Sequence, residues 1–364
     1  TMKHVGLNVA ADPLMTLAYV GIIGGMVIIN ADDPSLFSSQ NEQDNRYYAR
    51  LSGLPMLEPT NTQEMKDMTA MAFDLSEELK LPVIIRTTTR LAHVRGSVEL
   101  GKLKPRKTKS VFVKNPFHFV TVPAVSRNLH KVLLGKIEQA REISETRPFN
   151  EIVGNGKWGI VANGACFNYV KDAVLDLGIG DQVSMLKLAF SYPMPEKLFL
   201  DFFQKVDKVL VVEELEPINE KELRALAQEN GVAIEIQGKG TGAFSKLYEY
   251  DPGMVRKAIA EFMGIAYAAP ETVDLSGIPN LPARPPNLCA GCPHRATYYA
   301  VKQIYGKEAI YPTDIGCYTL GLLPPISMAD FVICMGSSVS SGCGFSEATN
   351  QKVVSFIGDS TFFH

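Results

Sequence analysis

Late in the chain an apolar run, Val353-Val354-Ser355-Phe356-Ile357, stops at Gly358-Asp359-Ser360-Thr361. A buried parallel strand ending in a glycine turn and an acid delivers an oxygen ligand to the carboxyl edge of its sheet. Gly358 has no Cβ, so the backbone there can approach a phosphate closely, and Ser360 and Thr361 add hydroxyl donors. A second run, Asp330 to Cys334, leads into Met335-Gly336-Ser337-Ser338, another place for a phosphate or heterocycle contact. Taken singly, these Gly-Asp and Gly-Ser pieces are ordinary turns. Two further stretches strengthen them. Leu288-Cys289-Ala290-Gly291-Cys292-Pro293-His294-Arg295 carries a Cys-x-x-Cys pair and a histidine, and Tyr311-Pro312-Thr313-Asp314-Ile315-Gly316-Cys317-Tyr318-Thr319 adds an acid, a glycine and a third thiol.

Cys289 and Cys292 can be structural thiols, a redox pair, zinc ligands or iron–sulfur ligands. Zinc is disfavoured because no second Cys-x-x-Cys or His pair follows at finger spacing. A thioredoxin-like role is disfavoured because the pair does not sit on a short thioredoxin-sized unit.

The elements that must position these groups read as α/β throughout, with doubly wound parallel sheets in three units. Residues 1–100 alternate a helix over Asp12 to Gly21, a strand over Met26 to Asn30, a helix from a capping-box-like Asn61/Glu64 to about Lys80, and a strand from Pro82 to Arg86. Asp32, Asp33, Arg86 and Thr87 fall at the carboxyl edge of that sheet, as turn and cap residues or as binding groups. Residues 101–150 form a linker and a helix, with an amphipathic pattern from Leu129 to Glu145. Their basic run, Lys102, Lys104, Arg106, Lys107 and Lys109, is either a solvated linker or a docking surface for an acidic carrier or a coenzyme phosphate.

Residues 151–265 repeat strand and helix most clearly. The strands are expected at Trp158 to Ala162, Val183 to Ala189, Lys208 to Val212 and Val232 to Ile236, with helices between them ending at Gly178, Val206 and Asn230. Glu213, Glu214 and Glu216 read as acids at a helix start, favoured by its dipole. This stretch contains enough alternation for an independent core. A proline-rich linker fills 266–286, and the last unit occupies 287–364.

Composition bounds the function. At 364 residues the chain has room for two or three domains. A formal charge of −3 argues against a nucleic-acid binder, which is usually clearly basic. No apolar run reaches the roughly 20 residues of a membrane span. No secretory signal stands at Thr1, so the cytoplasm is the expected compartment, and six cysteines without a disulfide-framework spacing agree with it.

Together, the Cys289–Arg295, Tyr311–Thr319 and Gly358–Asp359 stretches resemble the thiamine-diphosphate domain of the 2-oxoacid:ferredoxin oxidoreductases, and the likeness to the indolepyruvate branch extends over the whole chain. The resemblance implies three parts: a pyrimidine-binding-type domain over 1–100, a transketolase carboxy-terminal-type domain over 151–265, and a diphosphate- and Mg²⁺-binding domain over 287–364. It implies a thiamine diphosphate pocket made by Cys289, Gly291, Cys292, Asp314, Gly316, Cys317, Gly336, Ser337, Gly358, Asp359, Ser360 and Thr361. Asp359 is its metal ligand, and His294 and His4 are its catalytic histidines, His4 lying in a loop over Thr1 to Asn8. Some relatives hold a [4Fe–4S] cluster with such cysteines, and Cys317 matches a third ligand. In the indolepyruvate branch the clusters belong to a ferredoxin-like tail.

The implied reaction is oxidative decarboxylation of an aryl 2-oxo acid such as indolepyruvate to its acyl-coenzyme A, with electrons passed to ferredoxin and a second, smaller subunit as partner. The alternatives are a non-redox thiamine-dependent decarboxylase or carboligase, and a non-catalytic scaffold subunit. The family's catalytic carboxylate is implied to lie upstream of Thr1, and its second metal ligand beyond His364. The chain is thus expected to be a fragment, truncated at both ends and inactive alone.

Overall fold

The computed structural model describes residues 1–102, 112–146, 149–269, 274, 276–280, 282 and 284–363. Of the basic run, Lys104, Arg106, Lys107 and Lys109 lie outside the described residues, as do Pro270 of the proline-rich linker and the final His364. The chain divides into two compact units, Thr1–Pro270 and Glu271–His364.

The first unit begins with β1 (Met2–Lys3), α1 (His4–Val9), α2 (Ala11–Val20) and β2 (Val27–Asp32). Then come α3 (Arg46–Ser52), β3 (Met56–Leu57), α4 (Thr62–Leu79), β4 (Val83–Thr88) and α5 (Thr89–His93). Asn61 caps α4, its side chain accepting the Glu64 amide at 2.9 Å. The Glu64 carboxylate reaches back one residue beyond the cap, to the Thr60 amide at 2.8 Å. After α6 (Pro116–Phe119) and the long α7 (Pro123–Thr146), β5 (Glu151–Gly154) and β6 (Trp158–Ala162) open the second α/β stretch. It continues with α8 (Cys166–Asp176), β7 (Val183–Lys187), β8 (Phe190–Tyr192), α9 (Glu196–Phe203), β9 (Lys208–Val212), α10 (Ile218–Glu229), β10 (Glu235–Gln237) and α11 (Pro252–Met263).

Two five-stranded sheets result, ordered β1-β2-β4-β3-β8 and β10-β9-β6-β7-β5. Their interiors are parallel, and β4 is buried at all six positions, as a central strand covered on both faces must be. Each sheet also carries one antiparallel edge strand that the strand–helix alternation does not announce: β5 along β7, and β8 along β3. The expected strand over Val183 to Ala189 therefore stops at Lys187, and the chain leaves the second sheet to complete the first. Asn150 holds this crossing, its side-chain oxygen accepting the Ala189 and Phe190 amides at 2.8 Å each. Phe190 packs edge-on to Phe149, 5.5 Å between ring centres, in the core of the first sheet. Residues 151–265 thus lend a strand to the sheet of the first stretch, and both stretches fold as one unit.

The second unit holds α12 (Pro293–Tyr305), a 3-10 turn over Cys317–Leu322, α13 (Ser337–Ala348) and α14 (Asp359–Phe362). The strands expected at Asp330 to Cys334 and Val353 to Ile357 are each reduced to a single parallel bridge, Pro312 with Phe331 and Ile310 with Val353. Pro312 has no N–H to give the ladder, which interrupts the middle segment. The remaining bonds still align the three segments, with the Phe356 amide on the Pro312 carbonyl at 2.9 Å and the Thr313 amide on Phe331 at 2.8 Å. Leu288, Tyr298, Tyr311, Met328 and Phe356 form their small core.

Candidate functional site

In the second unit the aligned segments end together, so their turns share one edge. Asp314 is fully buried. Its carboxylate accepts the Gly336 amide at 2.9 Å and the Ile315 amide at 3.0 Å on one oxygen, and the Ser338 amide at 3.0 Å on the other. It therefore caps α13 and fixes the Gly336 turn, where Gly336 sits at φ +83°. Ser337 turns its hydroxyl back on the Cys334 carbonyl at 2.7 Å. The buried Thr361 donates to the Ile315 carbonyl at 3.2 Å, which draws the Gly358 turn against the Asp314 loop. Gly358 is the cap of α14, and Asp359 and Ser360 project from its first turn into solvent. Asp359 makes no hydrogen bond or ion pair among the described residues.

The cysteine stretch reaches the same loop from the side. The Cys292 amide bonds the Cys289 carbonyl at 3.2 Å around Gly291, which lies at φ +72°, and Cys292 caps α12. Arg295 ties the turn down through the Cys289 carbonyl at 3.0 Å. The His294 ring lies 4.2 Å from the Tyr318 ring, the neighbour of Cys317, and Gly316 precedes them at φ +127°. Cys289 and Cys317 are exposed and Cys292 is half-buried. Among the described residues no three His, Cys, Asp or Glu side chains are grouped as a metal would need.

His4, expected in a loop, instead begins α1 and is fully buried. Its Nε2 lies 3.1 Å from the Asn41 carbonyl, and its Nδ1 has no partner. Burial, then the charge of Lys3, lower its pKa and keep the ring neutral.

The sequence reading missed a buried charge network across the carboxyl edges of the two sheets. Arg86 donates to Asp32 at 2.6 Å and to Glu58 at 2.5 Å, and Asn163 at the end of β6 donates to the same Glu58 oxygen at 2.7 Å. Arg46 donates to Asp44 at 2.6 Å, pairs with Glu213, and reaches the Glu214 and Glu216 carbonyls at 2.9 and 2.7 Å. Glu213 in turn accepts the Asn219 and Glu220 amides at 3.0 and 2.9 Å, the helix-start role expected of it. Burial, opposed by Arg86, pushes Asp32 up to about 7. Burial works the same way on Asp44, but Arg46 and then Arg86 bring it down to about 2. The polar loop Ser38 to Arg46 was visible in the sequence; its partners, some 170 residues on, were not.

Residues 26–132 match the family described as pyruvate flavodoxin/ferredoxin oxidoreductase, thiamine diphosphate-binding. All of the chain aligns with the indolepyruvate oxidoreductase subunit IorA of Methanothermobacter marburgensis at 49% identity, and with that of Thermococcus kodakarensis at 44%. The chain is thus similar over its whole length to indolepyruvate oxidoreductase subunits, and over residues 26–132 to that thiamine diphosphate-binding family. It spans 59% and 60% of the length of those two relatives. Among solved structures, a 2-oxoglutarate:ferredoxin oxidoreductase from Magnetococcus marinus, determined with 2-oxoglutarate, coenzyme A and succinyl-CoA bound, shares the α/β fold. Its TM-score is 0.51 at 15% identity, over 72% of this chain and 52% of that one.

Proposed function

We propose that this chain is the thiamine-diphosphate-binding part of an oxidoreductase that decarboxylates aryl 2-oxo acids such as indolepyruvate. The acyl group passes to coenzyme A and the electrons to ferredoxin, with a second, smaller subunit as partner, in the cytoplasm. The observation that carries the reading is the Thr361–Ile315 contact, which sets the Gly358-Asp359 turn beside the loop that Asp314 anchors.

The residues present fit the cofactor. Asp359 offers an exposed carboxylate, unpaired among the described residues, and Ser360 a hydroxyl, the hard oxygen donors that Mg²⁺ prefers. Apart from the adjoining residues, no atom of the described residues lies within 4 Å of where a Cβ would stand on Gly316 or Gly336, which leaves their backbones open to a diphosphate. When bound, thiamine diphosphate supplies the nucleophilic carbon and electron sink that decarboxylation needs.

This chain's residues then divide the work. Asp359 holds the metal. Asp314 is spent on three amides and acts by holding the Gly336–Ser338 turn in place. Cys289, Gly291, Cys292, Cys317 and His294 form the pocket wall beside Tyr318, and the neutral His4 fixes the loop at Asn41. Among the described residues the three thiols are not grouped as a metal centre, which supports a wall role, with the [4Fe–4S] clusters held elsewhere in the protein. Calorimetry of thiamine diphosphate with Mg²⁺ on the intact protein tests the reading. Asp359→Ala is expected to abolish the Mg²⁺-dependent part of binding, and an unchanged affinity overturns the assignment.

A further inference from the structure

We propose that the strip from Phe112 to Lys131 attaches this chain to an anionic lipid surface. Phe112, Val113, Phe117, Val120 and Val122 all stand exposed, Phe117 at 88%, and none of the four residues of α6 is buried. A folded chain seldom leaves so many large apolar side chains together in water unless something covers them. The strip is nonetheless shaped. Phe119 is half-buried, with the Phe112 ring 5.3 Å and the His118 ring 4.9 Å from it. The Val125 and Ser126 amides both bond the Val122 carbonyl at 2.9 Å, where α7 begins.

The charge of the strip says what covers it. From Phe112 to Ile137 the sequence has no Asp or Glu, while it carries Lys114, Arg127, Lys131 and Lys136. In a chain of net charge −3 this is a stretch of one sign, and of the opposite one. Along α7, Val125, Leu129 and Leu133 are buried at helical spacing. Arg127 and Lys131, one turn apart, fall on the opposite side of that helix with the exposed Leu134. Lys114, Arg127 and Lys131 make no ion pair among the described residues.

Exposed apolar side chains flanked by such cations are the two halves of interfacial binding. The apolar groups enter the headgroup boundary, and the cations meet lipid phosphates. A protein partner is the poorer match. A protein rim carries both signs of charge, whereas an anionic bilayer keeps one sign along its whole surface, complementary to this strip. Among the described residues no helix is long and apolar enough to cross a membrane, so the attachment is peripheral.

Flotation of the full chain with vesicles tests the proposal. It is run without thiamine diphosphate or Mg²⁺, so the outcome is independent of the cofactor reading. The chain is expected to float with vesicles of phosphatidylcholine and phosphatidylglycerol, to stay behind with phosphatidylcholine alone, and to be released by high salt. Phe117→Ser is expected to weaken binding about tenfold, the size of one buried aromatic side chain. Lys131→Glu is expected to weaken it about fivefold or more, the size of one cation at an anionic surface. Both positions are exposed, so both variants are expected to melt with the parent. No binding to the anionic vesicles, equal binding of Phe117→Ser, or equal binding to the two kinds of vesicle overturns the proposal. So does a chain that light scattering shows to be a dimer and that Phe117→Ser makes monomeric, because a second copy then covers the strip.

Discussion

Acids follow apolar strands in both units, and their fates are opposite. In the first unit Asp32 ends β2 and is buried, paired to Arg86 inside a network that also holds Glu58 and Asn163. In the second, Asp359 follows an equally apolar run and stands in solvent, while Asp314 is buried but meets only backbone amides. The difference is one of partners. A buried carboxylate needs a cation or several donors, whereas one at an open edge keeps its oxygens for a ligand. An acid after a strand is therefore an interlock in one unit and an exposed group, without a polar partner among the described residues, in the other.

The sharpest way to break that contrast is to remove a cation from the interlock. Arg46 is fully buried and serves Asp44, Glu213 and two carbonyls. Arg46→Ala leaves these groups buried without a partner, an expected loss of about 3–5 kcal/mol. Urea unfolding of the first unit measures it, and a loss below about 1 kcal/mol, the level of an exposed pair, shows that the interlock is not structural.

The pH dependence of the same network comes next. The folded pKa of Asp32, about 7, lies above the usual 3.8. The folded state therefore favours the protonated form, and the contribution of Asp32 is fully present below pH 3.8 and is lost as pH rises through 7. Asp32→Asn removes this slope, so its stability relative to the parent is expected to improve steadily from pH 4 to pH 7 and then level. Denaturation at several pH values checks the sign. A gap that stays constant across that range means that Asp32 is ionised throughout.

How far these groups were legible depends on the range of the forces that place them. The strands Trp158–Ala162 and Lys208–Val212, and the cap at Asn61, are written locally, in runs of β-branched residues and a capping side chain. The antiparallel edges are not: Phe190–Tyr192 is a strand only because β3, far back in the chain, offers an edge. The site divides the same way. The stretches around Asp314, Gly336 and Asp359 stood out by residue type, but nothing in their spacing says that Asp314 spends both oxygens on the Gly336 turn and its own neighbour. Arg46 was one basic residue in a polar loop until its partners arrived from the turn between β9 and α10.

A smaller effect is expected at Asp314. Asp314→Ala removes the acceptor for three amides, and one lost cap of this kind costs about 1–2 kcal/mol. The loss is confined to the second unit and appears as faster hydrogen exchange at Gly336 and Ser338. Unchanged exchange at those amides shows that another group holds the turn.

Asp359 should show the smallest effect on stability, and this makes it the decisive half of the comparison. It is exposed, sits in the first turn of a four-residue helix, and makes no hydrogen bond or ion pair among the described residues that its removal would break. A surface change away from caps and cores typically stays within about 0.5 kcal/mol. Asp359→Asn keeps the size of the side chain and removes the charge, so the folded chain is expected to unfold as the parent does. Mg²⁺-dependent binding of thiamine diphosphate is nevertheless expected to fall steeply, because a neutral amide is a poorer ligand for a hard dication than a carboxylate. Asp314→Asn reverses the pattern, costing order in its loop and reaching the cofactor only through that loop. A stability loss at Asp359→Asn as large as at Asp314→Ala would mean that both acids are structural, and that the open edge holds no metal ligand of its own.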